Sequence, residues 1–380
     1  LGIGTGGLTS GLGTVQLDAN NSLPLGTFYN LIIKNGTTTL SRNISVYGDL
    51  TFGLSGTDGT IDQSASNFSI DLYGDMINNN TSAKNFASQN GNINCKGGAG
   101  VYGKTDQYIN TNGQIYNLEI NKPSGTVYYQ GTDFHPYGSV SIMSGSLSLV
   151  AATQFTVEGN LTITGTLDLP STLVFPLMII VPPVRGVLTL SSNSTLNIRG
   201  SSDYAFPYST NTIMDPTSTV NYCYMGDQYI AGLFLTYGNL KLSGSGIKHL
   251  HFPTNVKGNI TTENTAYFDA VTYSTTITLN GASPQTITNA RFYNLIVNNS
   301  YLGNGITLNS NDSVAHQLTC TKGIVDATSH PLLFEAGATV TGANDASHVK
   351  GIVKKITNLN ESFDFPVGDG IFYRPIGIVN

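Results

Sequence analysis

Charge is scarce in this chain. Asp, Glu, Lys and Arg together make up 11% of its 380 residues, against roughly 25% in an ordinary soluble domain. Its 17 basic and 23 acidic residues leave a net charge of −6 with no basic cluster. Neutralising phosphates takes a positive patch, so nucleic acid is excluded as a partner. Cysteine is nearly absent too: Cys95, Cys223 and Cys320 stand far apart with no CxxC pair, which rules out a disulfide framework. Tryptophan is missing altogether. Nor is there a long apolar run. "LVFPLMIIVPPV" at 173–184 is the most hydrophobic stretch, but a membrane helix needs roughly 20 residues and tolerates few prolines. That stretch is expected to be either a buried strand pair with a proline bend or an apolar contact patch. Phe175, Leu177, Met178, Ile179 and Ile180 would form the patch and could serve self-association.

In place of charge stand 43 glycines with abundant Thr, Ser and Asn, and a 39% hydrophobic content that suffices for a core. The N-terminal "LGIGTGGLTSGLG" has neither a basic start nor an apolar stretch, as a secretory signal would. "YRPIGIVN" stops in what reads as mid-strand, so the sequence is expected to be a segment of a longer chain.

One phrase recurs: "FYNLIIKN" (28–35), "IYNLEINK" (115–122), "TYGNLKLS" (236–243) and "FYNLIVNN" (292–299). Matched on their letters, the copies give one strand face of Tyr29, Tyr116, Tyr237 and Tyr293, followed by Leu31, Leu118, Leu240 and Leu295. On that alignment the third copy holds an extra Gly238, which calls for a bulge. The opposite face drifts, whereas Asn30, Asn117, Asn239 and Asn294 stay constant. A poor strand former held fixed reads as a structural device, bonding backbone at a corner or stacking as an amide ladder. A second phrase, V-x-G-x-L/I-T, places Gly48, Gly159 and Gly258 at the parity of the apolar residues, with Gly138 in a looser copy. Glycine there implies a tight bend or a close backbone approach.

Leu31 and Gly48 are 17 residues apart, and Leu240 and Gly258 are 18. That spacing suits one turn of a β-solenoid whose strands stack about 4.8 Å apart. Asn-Gly, Ser-Gly and Asp-Gly pairs between the phrases mark turns, and helix should be nearly absent. The predicted fold is therefore all-β, a parallel β-helix-like solenoid over 1–345, with tandem β-sandwich domains as the alternative. The repeat starts lie 87, 121 and 56 residues apart, and no fixed sandwich length fits those intervals. Residues 346–380 gather Lys350, Lys354, Lys355, Glu361, Asp364, Asp369 and Arg374. They read as a β-hairpin cap, or the start of a sandwich, blunting an exposed edge.

These phrases, together with the closing "HVKGIVKKI" and "FDFPVGDG" before "YRPIGI", resemble the repetitive cell-surface proteins of Bacteroidota. Those are large adhesin-like proteins commonly exported by the type IX secretion system. The resemblance implies extracellular display at the outer membrane, adhesion or a gliding-related role, and passage through export machinery. It implies surface glycans or other cells as partners and offers no catalytic residue to carry over.

The residues themselves gather little chemistry. Asp58 and Asp62 are the closest acidic pair and read as turn residues or a weak calcium site. His249 and His251 share one strand face without a third ligand nearby in sequence. Asp312-Ser313-Val314 resembles the O-glycosylation triplet of Bacteroidota. Threonine runs such as "STTITL" (274–279) could present a flat hydroxyl array to ice or sugar. No cofactor and no metal are expected. A non-enzymatic structural or adhesive role leads, with a carbohydrate-active β-helix enzyme or a self-assembling filament subunit as alternatives.

Overall fold

A computed structural model describes residues 12–379 apart from 24–25, 65, 83, 88–89, 99–102, 112–114, 150, 173–181, 203–204, 233–234 and 358–360. The described residues hold no α-helix, hence none long and apolar enough to cross a membrane. The chain divides into two compact units. One comprises residues 1–190 with 207–213, the other residues 191–206 with 214–380. Each is a parallel β-solenoid, and together they hold about 15 turns. The tandem-sandwich alternative does not apply.

Short strands with alternating burial build each turn. In Asn30–Ile33 the pattern runs half-buried, buried, half-buried, buried, with Leu31 and Ile33 fully inside. Leu31 lies opposite Leu50 in the next turn, and Leu50 opposite Met76. A column of Ile70, Ile93, Leu118, Val140 and Leu161 runs through the first unit in the same way. Leu196, Val220, Leu240, Ile260 and Ile287 do so in the second. Stacking like on like keeps apolar side chains in contact along the stack while every backbone group bonds the turn before or after. Turn length varies freely, because only the strands must match: Leu118 meets Val140 after 22 residues, Met76 meets Ile109 after 33.

The phase of the recurring phrase differs from the letter alignment. Phe28, Ile115 and Phe292 are the buried aromatic or aliphatic residues, while Tyr29, Tyr116 and Tyr293 are half-exposed at a corner. Alternation breaks over each Tyr-Asn pair and resumes at the leucine; the chain bends at Tyr29 and Tyr116, whereas Tyr293 stays within the strand Arg291–Asn298. Tyr237, by contrast, is fully buried. It faces Val256 as Phe28 faces Val46, so Tyr237 is the counterpart of Phe28, and Gly238 stands where the other copies have tyrosine. Nothing is inserted and no bulge is needed. A Cβ at Gly238 would meet the Ser218 carbonyl at 2.5 Å, leaving no room for a ring. The irregularity belongs to the fourth copy instead, where Phe292 pairs with Val314 but Asn294 with Gln317.

Parallel pairing continues past residue 346. Val349–Lys355 stacks on Val325–Phe334, and Val367–Gly368 stacks on Val349–Lys355 in turn. Antiparallel strands pair at Phe363–Phe365 against Ile376–Ile378, and isolated antiparallel bridges join Asn344 to Ser347 and Gly368 to Tyr373.

Candidate functional site

The repeated asparagines sit at the bend before the inward leucine, and each reaches both neighbouring turns. Asn30 Nδ2 donates to Thr14 Oγ1 (3.3 Å), and its Oδ1 accepts the Asp49 backbone N–H (2.9 Å). Asn117 Nδ2 donates to Asn92 Oδ1 (2.9 Å), and its Oδ1 accepts Ser139 N–H (2.8 Å). Asn239 Nδ2 donates to Thr217 O (3.0 Å), and its Oδ1 accepts Asn259 N–H (2.8 Å). Asn294 differs on one side: its Nδ2 donates to Thr276 Oγ1 (3.2 Å), but its Oδ1 accepts a hydrogen bond from His316 Nδ1–H (2.8 Å).

The glycines answer these amides. A Cβ on Gly48 would fall within 3.0 Å of Asn30 Oδ1, and one on Gly258 likewise within 3.0 Å of Asn239 Oδ1. Gly138 stands in the same relation to Asn117. At Gly159 the obstacle is Ser139 Oγ at 2.7 Å, together with Gly138 backbone. The close approach is thus to an amide or hydroxyl of the preceding turn. Sequence reading missed the residue after each glycine: Asp49, Ser139, Asn160 and Asn259 occupy the same column and pass the bonding on. Asp49 Oδ1 accepts Asp75 N–H (2.8 Å), Asn160 Oδ1 accepts Val187 N–H (2.9 Å) and Asn259 Oδ1 accepts Thr286 N–H (2.8 Å).

Phe175, Leu177, Met178, Ile179 and Ile180 lie outside the described residues. Asp58 is taken up in holding a neighbouring turn, accepting Thr81 N–H (2.6 Å) and Ser82 Oγ–H (2.8 Å). Asp62 accepts Ser64 N–H (2.9 Å). The Asp312-Ser313-Val314 triplet lies within a strand, with Asp312 and Val314 fully buried and Ser313 donating to Glu335 (3.1 Å).

His249 and His251 belong to something larger. Three strands of the second unit, Gln228–Ile230, Ser245–Leu250 and Thr265–Asp269, form a parallel sheet. Period-two alternation sends Gln228, Ile230, Lys248, Leu250 and Phe268 inward. The outer face receives Tyr229, Ile247, His249 and Tyr267. The Tyr229 ring stacks on His249 (5.2 Å, 30°) and lies 5.6 Å from His251 and 6.2 Å from Tyr273. His251 and Tyr273 are 4.4 Å apart, and the two tyrosine hydroxyls bond at 3.3 Å. Comparison with protein-family models, curated proteins and solved structures returns no match.

The cluster rests on a rigid floor. Gln228, fully buried, donates both Nε2 protons across the previous turn, to Ile198 O (2.9 Å) and Gly200 O (2.7 Å). Lys248, also fully buried, donates to Tyr224 O (2.7 Å) and Gly226 O (3.1 Å). Burial pushes its amine down to about 8, with Cys223 and Asp227 opposing part of the shift. Beside the rings, burial raises Asp269, but bonds from Thr272, Val271 and His249 Nδ1 (3.1 Å) outweigh it and hold the carboxyl below the usual range. Asp269 therefore orients His249. At the sheet margin Arg291 is gripped by Glu335 through two bonds of 2.7 and 2.8 Å, which raises the guanidinium further.

A sequence signal for this floor existed: "DQYI" occurs at both 106–109 and 227–230. Gln107 repeats the clamp on Leu72 O and Gly74 O, and Tyr108 stacks on Tyr128 (5.2 Å, 18°). Among the described residues no three His, Cys, Asp or Glu side chains gather as a metal-binding group. Carboxylates instead bridge turns singly, as Glu158 does between His135 (2.7 Å) and Arg185 (2.5 Å). The arrangement suits surface contact.

Proposed function

We propose that this chain is a non-enzymatic structural and adhesive segment of an extracellular protein displayed on a bacterial surface. Surface glycans or other cells are its partners, and outer-membrane export machinery carries it there. The observation that supports this reading is the outward aromatic face on Gln228–Ile230, Ser245–Leu250 and Thr265–Asp269. Rings gather there on a hydrogen-bonded solenoid, whereas carboxylates such as Glu158 and Glu335 are drawn into bridges between turns. A stack built from nearest-neighbour contacts supplies reach, and a fixed outer face supplies contact area. The resemblance in the repeated phrases and the "FPVGDG" tail agrees with it.

The test pairs localisation with contact. Antibody raised to this chain should label intact producing cells, and protease added outside them should remove the label. Cells lacking the protein should adhere less to the surfaces they colonise. Label that appears only after lysis, or purified protein that releases reducing ends from polysaccharides, would overturn the reading.

A further inference from the structure

Adhesive contact requires a ligand, and the outer face described above has a chemistry that selects one. Resting on the adhesive reading, we propose that this face binds neutral hexopyranose glycans, with Tyr267 and Tyr273 as stacking platforms. Both rings are open to solvent, at 47% and 37% exposure. Tyr267 stands on Thr265–Asp269, paired to the strand that carries the buried Lys248, and Tyr273 stands in the turn that follows, closed by Ser274 N–H on Val271 O (3.0 Å). Tyr267 lies beside Arg291, itself clamped by Glu335. A ring already fixed loses little freedom when a ligand arrives, which favours binding.

A pyranose presents an apolar C–H face to the electron-rich face of an aromatic ring and hydroxyls around its edge. The phenol and imidazole groups of Tyr273 and His251, with ring centres 4.4 Å apart, place polar atoms beside such a platform. Charge decides between neutral and anionic sugars. Lys248 is fully buried on two carbonyls, and Arg291 is engaged by a carboxylate. Asp227, just before the first of the three strands, and Asp269, at the end of the third, add negative charge. A uronate or sulfated glycan would meet this negative charge where, among the described residues of the three strands, the one Lys or Arg side chain, Lys248, is turned inward, while a neutral hexose meets rings and hydrogen-bonding groups.

Affinity electrophoresis of the whole chain through gels containing laminarin, yeast mannan, alginate or polygalacturonate tests this. Retardation should appear with at least one of the neutral polymers and be absent with the two uronates. Tyr273→Ala and Tyr267→Ala should each weaken it at least 10-fold. Tyr273→Phe, which keeps the ring, should stay within about 3-fold, and Tyr108→Ala on the first unit should change nothing. Far-ultraviolet circular dichroism would verify that each variant is folded. Retardation by the uronates, no retardation by any polymer, or retention of affinity in both alanine variants would each overturn the assignment. Cell-surface labelling and adhesion that survive Tyr267→Ala/Tyr273→Ala would remove this site while leaving the adhesive reading intact; loss of surface labelling would remove that reading alone.

Discussion

Replacing Gly48 by alanine should destabilise the first unit only for as long as Asn30 is present. Gly48 does not adopt a left-handed φ, so alanine suits its backbone, and removing a glycine there would by itself favour folding by roughly 0.4–1 kcal/mol. The new Cβ, however, falls within 3.0 Å of Asn30 Oδ1, while its other close neighbours are Tyr29 O at 3.0 Å and Asn30 Cγ at 3.1 Å. Displacing that amide breaks its bond from Asp49 N–H and overpacks the corner, for a net cost of about 2 kcal/mol. Asn30→Ala alone gives up two bonds at a half-exposed site, roughly 1–2 kcal/mol. In the double variant both amide atoms that obstruct the Cβ are gone and only the Tyr29 carbonyl remains near. The double variant should therefore be about as stable as Asn30→Ala, with a coupling of about 2 kcal/mol between the sites. The Asn239/Gly258 pair is the control. There a Cβ also meets Pro216 O at 2.6 Å and Gly238 backbone at 2.9 Å, so trimming the asparagine should rescue little. Thermal unfolding followed by circular dichroism, with roughly 2–4 °C of Tm per kcal/mol, and hydrogen exchange in peptides spanning 28–52 would measure both cycles. Additive effects at Asn30/Gly48 within about 0.5 kcal/mol would refute the argument that the amide dictates the glycine.

Two further outcomes follow from buried groups. Burial raises the Asp312 carboxyl to about 6, although the bonds its Oδ1 accepts from Ala290 N–H (2.7 Å) and Ser310 Oγ–H (2.9 Å) oppose part of the shift; Oδ2 has no partner among the described residues. The folded state holds this proton to higher pH than the unfolded chain, so stability should fall as pH rises from about 4 to 6. Asp312→Asn should flatten that slope and raise stability at pH 7 by about 1–2 kcal/mol, measured by urea titration at several pH values. Tyr237 donates its buried hydroxyl to the Ala231 carbonyl and bonds Tyr222 Oη at 2.7 Å. Tyr237→Phe should cost roughly 1–3 kcal/mol. A neutral result in calorimetry would contradict the inward placement of this ring.

Much of the architecture was legible because it is written in local periodicity. The leucine column, the turn-forming pairs and the near-constant interval from asparagine to glycine all point to stacked parallel strands. Phase was harder. Tyr237 matched Tyr29 as a letter but occupies the place of Phe28, and a slip of one residue in a strand exchanges inside for outside. The purpose of the glycines was only half readable, since the obstructing atom belongs to a residue 18 to 21 positions earlier at Gly48, Gly138 and Gly258. The aromatic face was least legible. Tyr229, His249 and Asp269 meet only after stacking brings residues 20 apart into register, and nothing in the five letters "KHLHF" announces it.

The pairing of amide with glycine also bears on how such a chain can be lengthened by gene duplication. At Asn30, Asn117 and Asn239 a turn that offers asparagine at its bend is followed by one that opens on a residue without a side chain, whereas Asn294 is followed by His316. A copied segment therefore inserts cleanly if it starts at a glycine and ends at an amide, whatever its length between. Gains and losses under that rule would leave intervals as uneven as 87, 121 and 56 residues, a compatibility requirement at the junctions in place of a fixed period.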